Sequence, residues 1–425
     1  MGAARPRILI VGGGFAGLYT ARALRHAAAD VTLVDRRNFH LFQPLLYQVA
    51  TGALSPANIA APLRSIVKDQ RNTRVLLADV SGFDLPRKVA RTDAGEIPYD
   101  LLVVATGATH SYFGHDAWER WAPGLKTLED ATEMRRRILL AFEEAEVATD
   151  PARRQTLLTF VIVGAGPTGA ELAGALAEIA GRTLRDDFRT IDPAEARILL
   201  VEAGPRVLAT YPEYLSEKAR AQLASLGVDV RLGAAVTDVR DGAVDVAHAG
   251  RVETIEAATV LWAAGVAASP LGAALARAAG AETDRAGRVR IAPDLTLPGH
   301  AEIFVIGDLM TFAGADGKTL PGVAPVAMQQ GRHVARTILA RFAGRPGPAG
   351  FEYHDRGSMA TIGRGRAVAD LGFVRFAGYP AWLAWLFIHL MYLVQFGNRV
   401  LILVQWAWSY LTWNRSARLI TGRRP

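Results

Sequence analysis

Glycines at three fixed places after a short apolar run are a chemical device, and this chain carries the device twice. Arg7-Ile-Leu-Ile-Val11 leads into Gly12, Gly14 and Gly17 in the frame Gly-x-Gly-x-x-Gly, and Phe160-Val-Ile-Val163 leads into Gly164, Gly166 and Gly169 in the same frame. Gly12 and Gly164 permit a tight turn. Gly14 and Gly166 let the main chain approach a pyrophosphate, and Gly17 and Gly169 let the following helix pack on the strand. The free N–H groups that open that helix then face phosphate oxygens. Each fingerprint also has an acid to match. Asp35 ends Val31-Thr-Leu-Val34, and Glu202 ends Arg197-Ile-Leu-Leu-Val201. Asp35 stands roughly twenty residues past Gly12, where a carboxylate can accept hydrogen bonds from ribose hydroxyls.

The elements that must position these groups recur as well. Leu101-Leu-Val-Val104 closes on Ala105-Thr106-Gly107, and Val260-Leu-Trp262 closes on Ala263-Ala264-Gly265. Both glycines fall roughly a hundred residues beyond their fingerprint, so the chain contains an internal repeat. The repeat predicts an α/β fold with two Rossmann-like dinucleotide-binding domains. A later strand, Ala301-Glu-Ile-Phe-Val-Ile306, ends in Gly307-Asp308, and Gly322–Gly331 opens a helix with Pro325 in its first turn. The expected division is 1–120 for the first part of the first domain, 121–290 for the second domain, 291–345 for the return to the first, and 346–425 for a C-terminal region. Residues 38–52 are apolar and aromatic yet include His40, Gln43 and Gln48; they suit a buried loop or contact with a cofactor ring. Residues 61–70 predict a short amphipathic helix. Thr127-Leu-Glu-Asp130 predicts a capping box opening a helix to about Val147.

Composition removes several classes of function. Of 425 residues 50% are hydrophobic and 21% charged, which excludes a disordered chain. The chain has no cysteine, which excludes disulfides, thiol redox centres and iron–sulfur ligation; no metal site is expected. A net charge of +7 fits anionic cofactors or an anionic membrane surface as well as nucleic acid. The basic stretches are 64–74 and 415–424, and the second adjoins an apolar block, so no nucleic-acid partner is expected. Met1–Pro6 lacks a signal-peptide core, which predicts a cytoplasmic N-terminus.

That apolar block is the tail. Tyr379–Trp413 holds Trp382, Trp385, Trp406, Trp408 and Trp413, five of the chain's 8 tryptophans. Two apolar runs, Ala381–Phe396 and Val400–Trp413, are separated at Gly397-Asn398-Arg399. Each is shorter than the roughly 20 residues that span a bilayer. With Arg399, Arg415, Arg418, Arg423 and Arg424 beside the tryptophans, the tail predicts docking on an anionic membrane surface, at the cytoplasmic face of the plasma membrane, without crossing it. The same apolar helix pair would also suit a homodimer.

Taken together, the two fingerprints, the loop Phe42-Gln-Pro-Leu-Leu-Tyr-Gln-Val-Ala-Thr-Gly52, the Ile306-Gly-Asp308 strand end, the Gln329-Gln330 pair and the tail resemble the type II NADH:quinone oxidoreductases. These are single-subunit, non-pumping flavoenzymes of the respiratory chain. The resemblance implies one non-covalent FAD on Gly12, Gly14 and Gly17, with its adenosine ribose at Asp35, Thr106 and Gly107 along the flavin, and Gly307-Asp308 at the ribityl or pyrophosphate portion. It implies NADH on Gly164, Gly166 and Gly169, with Glu202 at the adenosine ribose and Gly265 in the same site. Glu171 matches the family's acid near the nicotinamide, and Gln329 and Gln330 its quinone site. The family motif Ala-Gln-x-Ala-x-Gln reads Ala324-Pro-Val-Ala-Met-Gln329 here, so Pro325 replaces the first glutamine. Arg375 is the candidate for the family's lysine near the quinone. The implied reaction passes a hydride from NADH to FAD and then two electrons to a membrane quinone. A soluble ferredoxin-type flavoprotein reductase and a non-enzymatic flavoprotein binding module are the alternatives.

Overall fold

The computed structural model describes residues 5–314, 317, 319–394, 396–413, 415 and 417–422. They form two compact units. The first combines residues up to 41 with 60–109 and 266–355; the second combines 42–59, 110–265 and 356–425.

In the first unit, the strand Arg7–Val11 sits inside a six-stranded sheet. It pairs in parallel with Asp30–Asp35 on one side and Leu101–Val104 on the other, and Thr73–Leu77 and His300–Val305 extend the sheet in the same sense. Its sequence explains its place: Ile8 to Val11 are all buried, as a strand covered on both faces requires. The helices Phe15–Ala23 and Ala324–Phe342 pack on one another beside the sheet, and Gly331 makes that approach feasible. A Cβ there would lie 2.5 Å from the Ala16 carbonyl oxygen. The predicted helix over 61–70 is corrected to a short strand, Ala60–Pro62, and a single turn, Leu63–Ile66. Ala61 pairs with His40, and only Leu63 and Val67 bury beyond it, too little apolar surface to hold a longer helix.

The second unit is built on a parallel sheet in the order Val228–Leu232, Arg197–Glu202, Thr159–Val163, Thr259–Trp262. Thr127 caps Leu128–Val147 through the expected reciprocal bonds with Asp130. The helix Pro167–Glu178 after the second fingerprint runs on into a π-turn, Ile179–Thr183. Its Gly174 lies flush against a strand from the tail, since a Cβ would meet the Ile362 carbonyl oxygen at 1.6 Å. That strand, Ser358–Gly363, heads an antiparallel sheet with Arg366–Asp370 and Arg375–Ala377 that the sequence reading missed. Its strands do not alternate, since Ala360–Ile362 and Ala367–Ala369 are each buried in a row, and glycine-rich turns break them up.

The two tail helices are Tyr379–Tyr392 and Phe396–Thr412. The break therefore precedes Gly397-Asn-Arg399, which lies in the first turn of the second helix. Arg399 Nε donates to the Leu393 carbonyl at 2.9 Å and so caps the end of the first helix. Arg415 is turned inward: its side chain is 9% exposed and pairs with Glu178 at 2.8 Å. Arg418 pairs with Asp187. Gln395, Asn414, Arg423 and Arg424 lie outside the described residues. No described helix is long and apolar enough to cross a membrane.

Candidate functional site

The two fingerprints fold into the same cradle twice. Gly12 has φ +105° and Gly164 +97°, conformations that L side chains avoid. A Cβ on Gly17 would strike the Gly12 carbonyl oxygen at 1.8 Å, and one on Gly169 would strike that of Gly164 at the same 1.8 Å. Gly14 and Gly166, by contrast, have no atom within 4 Å of a built Cβ, so each faces open space at the start of its helix. Neither helix has a side-chain cap there. Two helix N-termini thus border an opening fit for phosphate oxygens.

The paired acids brace these turns. Asp35 accepts from the N–H of Gly13 at 2.6 Å and of Arg37 at 2.7 Å. Glu202 accepts from Ala165 at 2.7 Å and Gly204 at 2.7 Å. Each carboxylate oxygen keeps a second lone pair for a ribose hydroxyl. Burial lifts the Asp35 pKa above the usual carboxylate range, against the pull of the two N–H donors.

Around the first cradle the structure gathers Thr106, Gly107, Gly307 and Asp308 in the same unit. The Thr106 hydroxyl is buried without a protein partner, and the Thr106 Cα lies 3.3 Å from a Cβ built on Gly12. An orphaned hydroxyl beside an open glycine cradle fits a polar cofactor. Gln329 and Gln330, grouped by the sequence reading, have separate structural roles. Gln330 is fully buried; its Oε1 accepts from the Gly307 N–H at 2.7 Å and its Nε2 faces the Met310 sulfur at 3.6 Å. It braces the Gly307-Asp308 turn from within the first unit, with its side chain fully buried. Gln329 exchanges two bonds with the His354 main chain, at 2.9 and 3.1 Å.

His40 supports the first cradle from beneath. It is 2% exposed, and its Nδ1 lies 3.0 Å from the Gly13 carbonyl oxygen. Burial, with some help from Arg22, lowers its pKa to about 4. The unfolded chain therefore binds the extra proton first as pH falls. The neutral form's contribution is complete above the ordinary value near 6.5 and is lost as pH drops toward 4, a change of about 3 kcal/mol for this group. Denaturant unfolding at pH 7.5 and pH 5 should show lower stability at the acid value, and His40→Gln should narrow the difference. Equal sensitivity in the variant would move the effect to other groups.

In the second unit, Glu171, Ala175 and Glu178 stand at helical spacing on one face of Pro167–Glu178 and line a cavity of about 110 Å³. Tyr47, Gln48 and Thr51 from the 42–52 loop complete it, with Thr361–Arg364 and the tail residues Trp382, Trp385, Trp406, Tyr410 and Trp413. Trp406 Nε1 donates to Gln48 Oε1 at 2.8 Å, and Gln48 Nε2 donates to the Tyr47 hydroxyl oxygen at 2.9 Å. Glu171 opens partly onto the cavity and accepts one main-chain bond from Thr361; protein packed around it lifts its pKa well above the carboxylate range. Arg364 lies between the rings of Tyr410 and Trp413, 3.9 and 4.1 Å from their centroids, and one of its terminal nitrogens is buried without a partner. Arg375 does not line this cavity and pairs at the surface with Asp370 at 3.3 Å; the arginines that line it are Arg364 and Arg415. The sequence signal for Arg364 was faint: a lone arginine between two glycines in a turn. No cluster suited to a metal ion occurs among the described residues.

Residues 6–331 match the pyridine nucleotide-disulphide oxidoreductase family, and residues 355–413 match the NDH2 C-terminal domain. A Mycobacterium tuberculosis type II NADH:quinone oxidoreductase, Ndh, is 46% identical over 99% of this chain and 91% of its own length. A second from the same organism, NdhA, is 48% identical over 99% of this chain and 90% of its own. Among solved structures, NDH2 from Plasmodium falciparum in complex with NADH superposes with a TM-score of 0.90 at 17% identity, covering 98% of this chain and 100% of that one. The sulfide:quinone oxidoreductase of Aquifex aeolicus reaches 0.72 at 18% identity, over 98% and 92% of the two chains, a likeness of fold alone. With near-full-length identity to curated members and a tail of the matching type, the chain belongs to the type II NADH:quinone oxidoreductase family.

Proposed function

We propose that this enzyme of NADH oxidation and quinone reduction holds FAD in the first unit, binds NADH on the second fingerprint and receives the quinone headgroup in the cavity beside Glu171. The observation that carries the last assignment is convergence. A carboxyl whose pKa burial pushes up, a tyrosine hydroxyl and an aromatic-flanked guanidinium meet in one cavity lined by tail tryptophans. FAD, when bound, supplies the relay that accepts a hydride and passes electrons on. The chain does the rest. Gly12, Gly14 and the helix N-terminus at Phe15 would hold the cofactor's pyrophosphate, Asp35 its ribose, and Thr106, Gly107, Gly307 and Asp308 the remainder. Gly164, Gly166, Gly169 and Gly265 would seat NADH, with Glu202 on its ribose.

Quinone reduction consumes protons along with electrons. Burial pushes the Glu171 pKa up beside the cavity and so favours its protonated form, which suits a general acid. The Tyr47 hydroxyl, accepting from Gln48, keeps its own proton for a carbonyl oxygen. Such a substrate lives in hydrocarbon, and the tail presents an apolar stripe toward it. Leu383, Phe387 and Met391 recur every fourth residue on the first tail helix and are exposed, as are Leu403, Val404 and Leu411 on the second. That face docks on the cytoplasmic leaflet; paired with a second copy, it would instead form a homodimer.

The test uses both properties. Glu171→Gln should leave flavin reduction by NADH near normal and slow reoxidation by quinone about a hundredfold. Unchanged reoxidation removes Glu171 from the acceptor site. Glutamates at Leu383, Phe387 and Leu403 together should abolish flotation with anionic vesicles. Full flotation overturns the docking assignment, and a shift from dimer to monomer with vesicle binding intact assigns the face to the homodimer.

A further inference from the structure

Beside the second fingerprint, Tyr112 to His115 make a turn that the sequence ill suits. The His115 N–H donates to the Tyr112 carbonyl at 3.0 Å. Both central residues have positive φ, +53° at Phe113 and +92° at Gly114. This is the pattern of a type I′ turn, whose first central place ordinarily takes Asn, Asp or Gly. A phenylalanine there is held in a conformation that costs folding energy. It is not repaid by burial, because Phe113 is 68% exposed.

The ring is nonetheless firmly placed. A Cβ built on Gly265 would lie 2.5 Å from Phe113 Cζ, so the ring rests on the Gly265 main chain. Ser111 locks the turn from both sides. Its N–H donates to the Gly265 carbonyl at 3.3 Å, and its carbonyl accepts from Trp262 Nε1 at 2.9 Å. The Trp262 ring lies 6.4 Å from that of Phe113.

The sheet order says which part of a dinucleotide meets this ring. Ligands bind beyond the carboxyl ends of the strands. Gly164 follows the strand Thr159–Val163, and this is where the pyrophosphate sits. Glu202 ends the neighbour on one side and takes the adenosine ribose. The neighbour on the other side is Thr259–Trp262, which runs into Ala263-Ala264-Gly265. The Ala264 Cα lies 2.7 Å from a Cβ built on Gly164, so this second edge adjoins the phosphate turn directly. A dinucleotide with its adenosine over one edge lays its nicotinamide half over the other.

We infer that Phe113 is a specificity-determining contact for NADH, its exposed ring packing against the nicotinamide half of the bound dinucleotide. The inference rests on the reading of the Gly164 fingerprint as the NADH site. The strained turn exists to present an aromatic face there, in the way other strained residues gather at ligand clamps.

The experiment titrates the detergent-solubilised holoenzyme with NAD⁺ and, separately, with ADP-ribose, which lacks the nicotinamide ring. Phe113→Asn suits the turn, so it should hold or raise the melting temperature. It should weaken NAD⁺ about tenfold, the size of a lost aromatic stack, and leave ADP-ribose within about twofold. Phe113→Tyr should restore NAD⁺ affinity. An unchanged NAD⁺ affinity in Phe113→Asn overturns the inference. So does an equal loss for both ligands together with a lower melting temperature, which marks Phe113 as structural. A wild-type enzyme that binds neither ligand overturns the assignment of the fingerprint itself, and the inference with it.

Discussion

Replacing Gly14 by leucine should give a protein that folds and carries no flavin. The backbone at Gly14, φ −68° and ψ −165°, is one that any residue adopts, and a Cβ meets nothing within 4 Å. The side chain therefore fits the unliganded chain. It fills the opening through which a pyrophosphate must approach the helix N-terminus. Displacing two charge-assisted N–H contacts forfeits about 3 kcal/mol or more, so flavin retention should fall at least about a hundredfold. The flavin-to-protein absorbance ratio after gel filtration reads this directly. The melt should match that of wild-type protein stripped of flavin, since lost ligand alone lowers the apparent stability. A yellow variant at full stoichiometry would contradict the cradle. Gly17→Leu makes the contrast: its Cβ would collide with the Gly12 carbonyl at 1.8 Å, so that variant should fail to fold.

The second large effect is expected at Arg415→Ala. Glu178 is 10% exposed at its side chain, pairs with Arg415 at 2.8 Å, and also accepts the Arg364 N–H. Removing the guanidinium leaves a buried carboxylate without its counter-charge, which costs about 3–5 kcal/mol. The double variant Arg415→Met, Glu178→Gln should recover much of it, because no charge is left stranded. Denaturant melts of the single and double variants measure the difference. A single variant as stable as wild type would show that the pair holds nothing together. The same geometry changes the expectation for the tail. Trp385 is 1% exposed, and Arg415 anchors the chain end beside the π-turn. Truncation at residue 379 would strip the interior of the second unit, so point substitutions on the exposed stripe are the clean probe of docking.

The cradles were legible in the sequence because their logic is local. Gly12, Gly17, Gly164 and Gly169 have roles set by residues within a few positions, and an acid at the end of the next strand is visible in the same way. The cavity was not legible, because it assembles side chains from four distant stretches, those of Tyr47, Glu171, Arg364 and Trp406. Gly174 gave no signal either, since its need for a missing Cβ arises only from a tail strand nearly two hundred residues on. Arg399 and Arg415 misled for a physical reason. Basic residues among tryptophans suit an interface by composition, yet one caps a helix and the other pairs with a buried acid. The Gln329-Gln330 pair was read as one unit, although successive helix residues point in different directions.

The most direct test of the account is a two-step stopped-flow experiment on the detergent-solubilised enzyme, following flavin absorbance. Mixing with NADH in the absence of oxygen should bleach the flavin in one turnover. A second mix with a short-chain quinone should restore the full oxidised spectrum at a rate that supports steady-state turnover. A flavin that NADH does not bleach, or one that quinone leaves reduced while a ferredoxin-type acceptor reoxidises it, would contradict the assignment.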